Sequence, residues 1–119
     1  MAERKENSTN NVNRKCIVDG NDLSYAMAMV GGRWKLLILI NLEKEKLRFS
    51  EIRKAMPNIT ERMLTLQLRE LENDGLVCRT VYAEVPPRVE YELTEIATEL
   101  IPIWKKLCDW GARHRKTRV

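Results

Sequence analysis

Only three residues, Pro57-Asn58-Ile59, separate two helical patterns, and that short connection constrains the chain more than any other feature. Ser50 can cap the first helix, whose apolar residues Phe49, Ile52 and Met56 share a face. Pro57 disfavours a helical Met56 and stops it. Thr60 can cap a second, longer helix running to about Asp74, with Gly75 as its left-handed stop. Two helices joined so tightly predict a helix-turn-helix.

The flanking segments complete the outline. Upstream, Asp22 can cap a helix carrying Leu23, Ala26, Met27 and Val30, which ends at Gly31 and Gly32. A second apolar helix begins around Arg33 and carries Trp34, Leu37, Ile38, Ile40 and Leu42. Gly31 to Lys35 lacks the spacing of a phosphate-binding loop, so a helix break is the reading there. Leu47 to Phe49 can form a very short strand. Downstream, Val77 to Tyr82 and Val89 to Leu93 flank the proline-stiffened turn Glu84 to Arg88 and predict a β-hairpin. Thr94 then caps a last helix, expected to bend at Pro102, whose apolar residues Ile96, Leu100, Ile101, Trp104, Leu107, Cys108 and Trp110 cover more than one stripe. So much apolar surface requires a second surface to cover it.

The order helix, helix, turn, helix, hairpin predicts a mainly α fold with a small β-hairpin wing, a winged helix-turn-helix. In the second helix of the motif Leu64, Leu68 and Leu71 fall on one face, which must pack inward, and Arg62, Thr65, Leu66, Arg69 and Asn73 lie opposite. Arg62 and Arg69 suit guanine edges or phosphates, Thr65 a hydrogen bond or methyl contact, and Leu66 a thymine methyl. Ser50, Lys54 and Thr60 complete the DNA-facing set at the ends of the two helices, with Ser50 or Lys54 read as a phosphate contact. Glu61 complements the helix dipole or accepts from a cytosine amino group. Arg88 at the wing either enters a minor groove or pairs with Glu84 or Glu90.

Charge is spread evenly through this region. Between Phe49 and Tyr82 five basic residues (Arg53, Lys54, Arg62, Arg69, Arg79) face five acidic ones (Glu51, Glu61, Glu70, Glu72, Asp74). The net charge of +4 comes largely from the C-terminal end, where Lys105, Lys106, Arg113, Arg115, Lys116 and Arg118 stand against Asp109. A neutral motif with a basic outer face fits specific DNA binding better than the coating of a polyanion. The alternative is a winged-helix module that binds a protein partner through surfaces such as Leu66 and touches no DNA.

With 119 residues the chain holds one domain. Residues 1–15 are read as a flexible N-terminal arm, 16–114 as the DNA-binding and dimerisation domain, and 115–119 as a basic tail. No apolar run approaches the roughly 20 residues of a bilayer helix, and the polar start is unlike a signal peptide, so a cytoplasmic protein is expected. Cys16, Cys78 and Cys108 contain no CxxC pair, and His114 is the sole histidine. No metal site, cofactor or enzymatic centre is expected from that inventory. Cys78, on a strand, and Cys108, on an apolar helix face, are expected in the core.

Several stretches together resemble the HxlR-type family of bacterial transcription regulators, which are MarR-like winged-helix proteins. They are Gly31-Gly32-Arg33-Trp34-Lys35-Leu36-Leu37-Ile38-Leu39, Arg48-Phe49, Leu64-Thr65-Leu66-Gln67-Leu68-Arg69-Glu70-Leu71-Glu72, Asp74-Gly75-Leu76-Val77, Arg79-Thr80-Val81-Tyr82, Glu84-Val85-Pro86-Pro87-Arg88-Val89-Glu90-Tyr91 and Trp110-Gly111. The resemblance spans about Cys16 to His114. It implies a homodimer joined through the first and last helices, with Leu23, Met27, Leu100, Trp104, Leu107, Cys108 and Trp110 at the interface, bound to a pseudo-palindromic operator. It also implies a small-molecule or oxidant inducer. Many members carry an N-terminal cysteine before the first helix, which in redox-responsive members is the sensor. Cys16 corresponds to it, with Ile17 where proline is common; Arg14 and Lys15 beside it would favour the reactive thiolate, and the alternative is a small buried apolar side chain with a structural role.

Overall fold

A computed structural model describes residues 21–118. The chain divides into two compact units, 1–36 and 37–119. In the first, α1 (Asp22–Val30) is capped by Asn21, one residue earlier than expected: its side-chain oxygen accepts from the Ser24 N–H at 2.9 Å. Asp22 instead places its charge in the first turn, where the helix dipole favours it. Gly32 sits at φ +93° in the break before the next helix, a left-handed conformation that a side chain disfavours. Cys16 and the arm 1–15 lie outside the described residues.

The second unit begins within α2 (Lys35–Asn41), followed by β1 (Leu47–Arg48), α3 (Phe49–Ala55), α4 (Glu61–Asn73), β2 (Val77–Tyr82), β3 (Arg88–Leu93), α5 (Glu95–Thr98) and α6 (Ile101–Thr117). Its buried core includes Ile38, Leu39, Ile52, Ile59, Leu64, Leu68, Leu71, Leu76 and Val77. The three leucines expected on the hidden face of α4 are therefore all inside. Ile59, in the turn between α3 and α4, is 1% exposed and pins that turn to the core. Gly75 at φ +76° ends α4 as expected.

The hairpin forms with Arg79 opposite Tyr91 and Val77 opposite Leu93. β1 adds to it through Leu47 opposite Tyr91, giving an antiparallel sheet of order β1-β3-β2. The architecture is a winged helix-turn-helix.

Several local expectations are corrected. Ser50 does not cap α3: the helix starts at Phe49, and the Glu51 carboxylate accepts from the Arg48 N–H at 2.8 Å. Pro102 does not bend a single last helix but helps begin a second one after the short α5, because its missing N–H costs nothing in a first turn. α6 continues to Thr117, so residues 115–117 are helical. Trp104 is not available to a partner; it is 2% exposed, and its indole N–H donates to Glu43 at 3.0 Å. Cys78 and Cys108 are exposed rather than core. Cys78 pairs with Glu92 and lies on the sheet face opposite buried Val77, and a three-stranded sheet covers only one face with helices. Trp104 is the one buried residue of α6, which leaves Cys108 four residues on outside the core.

Candidate nucleic-acid interface

The outer face of α4 is held out by three local features. The Thr60 hydroxyl oxygen accepts from the Met63 N–H at 3.0 Å, fixing the first turn while its own proton stays free to donate. Buried Leu64, Leu68 and Leu71 fix the rotation of the helix. Across the turn, one Arg53 guanidinium nitrogen lies 3.8 Å from the Glu61 carboxylate and another donates to the Ile59 carbonyl at 3.4 Å. Glu61 thus serves the turn that joins the two helices.

On this face Arg62, Leu66, Arg69 and Asn73 are exposed and Thr65 is half-buried. Thr65 donates its hydroxyl proton to the Glu61 carbonyl at 2.9 Å, which leaves its oxygen only as an acceptor. Ser50 and Lys54 are exposed on α3, with Ser50 in its first turn and Lys54 in its last. Neither Arg62 nor Arg69 forms an ion pair among the described residues.

The wing is differently arranged. Arg88 stacks over the Tyr82 ring with its guanidinium carbon 4.1 Å from the centroid, and it pairs with Glu84 at 3.3 Å and Glu90 at 3.6 Å. Of the two roles open to Arg88, the ion-paired one is realised in this state. On the same sheet face Lys46 donates to the Tyr82 hydroxyl at 3.4 Å and lies 3.9 Å from Glu90. The Tyr82 hydroxyl, and then the nearby glutamates, raise the Lys46 pKa above its ordinary value.

Between α4 and the wing is a cleft of about 380 Å³, lined among others by Thr65, Arg69 and Glu72 from the helix and by Arg79 and Tyr91 from the strands. Sequence reasoning placed Arg69 outward but gave Arg79 no role. The strand alternation carried the signal, since Arg79 stands two residues from buried Val77 and so shares its face. No cluster of three or more metal-ligating side chains occurs among the described residues.

A helix-turn-helix with a cationic outer face beside a β wing defines the class: a winged-helix transcription regulator. The chain belongs to the HxlR-like helix-turn-helix family, whose profile matches residues 29–118. It is 58% identical over 89 residues to an uncharacterized HTH-type transcriptional regulator of Methanothermobacter thermautotrophicus, a match covering 75% of this chain and 68% of that one. It is 47% identical over 97 residues to the uncharacterized HTH-type transcriptional regulator YdeP of Bacillus subtilis, covering 82% and 76%. Among solved structures, the redox regulator HypR in its reduced form superposes with a TM-score of 0.78 at 45% identity, covering 82% of this chain and 96% of HypR. The reduced form of YodB from B. subtilis superposes with a TM-score of 0.67 at 37% identity, covering 73% and 85%.

Proposed function

We propose that this regulator acts as a cytoplasmic homodimer on a pseudo-palindromic operator, with α4 of each protomer in a major groove and the wing against the adjoining backbone. The exposed Arg62, Leu66, Arg69 and Asn73 on a helix whose other face is pinned by three leucines carry the reading. Arg62 reads a base edge, Leu66 meets a thymine methyl, and Thr65 accepts from a base amino group. Ser50, Lys54 and Thr60 contact phosphates. No catalytic step, cofactor or metal enters this account.

Pairing uses the apolar surfaces that each unit leaves exposed. On α1 these are Leu23 and Met27; on α6, Leu107 and Trp110 are 53% and 54% exposed, with Leu100 half-buried at its start. Exposed apolar groups of this size favour association, and His114 stacks on Trp110 at 5.1 Å, enlarging that surface. Cys108 lies on the same helix. Trp104 is excluded from the interface by its burial.

Operator occupancy is switched through Cys16, by oxidation or by an electrophilic inducer, and the 45% identity to the redox regulator HypR supports that reading. The basic neighbours Arg14 and Lys15 stabilise the thiolate on which such chemistry depends. Binding of the full chain to DNA fragments flanking its own coding region, measured against salt, tests the core of the proposal. Neutralising several phosphates requires a steep negative slope of log K on log salt. A flat response would instead favour a protein partner.

A further inference from the structure

We infer that the cleft between α4 and β2 seats a phosphodiester of the bound DNA strand, held between Arg69 and Arg79. The inference rests on the DNA-binding reading and deepens it: Arg79 becomes a backbone contact, and Arg69 grips phosphate rather than a base.

The first ground is position. Adjoining major and minor grooves of a duplex are separated by one sugar–phosphate strand. With α4 in the major groove and the wing reaching the next groove, the space between them straddles that strand. The cleft occupies that space, and its walls are α4 and the sheet.

The second ground is charge. Arg53, Arg88, Lys46 and Lys105 each have a carboxylate partner. Arg69 and Arg79, which face the cleft from opposite walls, are exposed and form no ion pair among the described residues. Two guanidinium groups without internal partners on opposing walls suit a tetrahedral anion, because each can donate two N–H groups to it.

Of the other lining residues Phe49 and Leu68 are apolar, and Tyr91, Thr65 and Glu72 bear on the anion. The hydroxyl of Tyr91, directly across from Arg79 in the hairpin, makes no hydrogen bond among the described residues and supplies a neutral donor at the same site. The Thr65 proton is already given to the Glu61 carbonyl, so Thr65 offers the anion no donor. Glu72 is the one carboxylate in the cleft and lies within ion-pair distance of neither arginine. It opposes an anion there and so limits the strength of this grip.

Salt-dependent binding of the full chain to an operator fragment and to an unrelated duplex tests the assignment, using wild type, Arg79→Ala, Arg79→Lys, Arg69→Ala and Glu72→Gln. Thermal midpoints measured in parallel confirm that each variant is folded. The expected result is that Arg79→Ala and Arg69→Ala each weaken both duplexes by a similar factor and reduce the salt slope by about one. Arg79→Lys retains the slope, and Glu72→Gln strengthens binding to both duplexes. A steep wild-type slope left unchanged by Arg79→Ala overturns the cleft assignment alone. So does an Arg69→Ala variant that loses discrimination at one base pair while keeping its slope. A flat wild-type slope overturns the DNA-binding reading together with the cleft's occupant.

Discussion

Arg53 on α3 and Glu61 on α4 approach to 3.8 Å across the turn of the helix-turn-helix. Arg53 also donates to the carbonyl of buried Ile59, so one side chain ties both helices to the link between them. The ion pair is largely exposed, and such pairs contribute about 0 to 1 kcal/mol. Glu61→Gln is therefore expected to change unfolding free energy by less than about 1 kcal/mol. Arg53→Ala removes the donor to the Ile59 carbonyl as well and should cost roughly 1 to 3 kcal/mol. Urea denaturation of both variants checks the ordering.

Trp104 and Glu43 couple the start of α6 to the loop after α2. Truncating a buried tryptophan leaves a large cavity, so Trp104→Ala should destabilise the fold by about 3 to 5 kcal/mol. The indole N–H, followed by Lys105, holds the Glu43 carboxyl below its ordinary range. A depressed folded pKa contributes stability that is complete above the unfolded value of about 4.3 and is lost as pH falls through the folded one. Denaturation of Glu43→Gln and wild type across that acid range should show a deficit at neutral pH that closes on acidification.

Much of this architecture was readable from residues. Thr60, Gly75 and the leucines at 64, 68 and 71 mark α4 by local capping and periodicity, and both are recovered. The hairpin followed from alternation around Val85-Pro86-Pro87. Contacts between distant positions were not readable. Glu43 and Trp104 are 61 residues apart, and nothing local marks the tryptophan as inward while Leu107 and Trp110 face out. Arg79 was hidden for a related reason: it is a charge on the inward face of a strand, and its meaning depends on the helix packed across from it. The cysteines misled because apolar neighbours in sequence did not imply covered neighbours in space.

That exposure makes a prediction of its own. In the native protein a disulfide reagent such as DTNB should react rapidly with Cys78, whereas Cys108, on the pairing helix, should react rapidly only when the dimer is broken. Oxidant experiments on Cys16 are therefore cleanest with both replaced by serine. In that background diamide with added glutathione, which joins the Cys16 thiol in a mixed disulfide while diamide takes up the two hydrogens, should release the operator, and the further change Cys16→Ser should abolish the release while binding persists. A response retained without Cys16 would place sensing elsewhere.

Pairing through α6 predicts that Leu107→Glu combined with Trp110→Glu gives folded monomers in sedimentation velocity. Both side chains are more than half exposed, so the fold itself should tolerate the change. Operator affinity should fall sharply, because each half-site then binds alone. An unchanged sedimentation coefficient would move the interface off this helix.

Hydroxyl-radical footprinting on an operator fragment tests most directly whether paired α4 helices engage successive major grooves. Two protected patches centred about one helical turn apart, or a multiple of it, on one side of the duplex are predicted, with Arg62→Ala weakening binding by roughly 1 to 3 kcal/mol. A single patch, or protection without symmetry, would contradict the account.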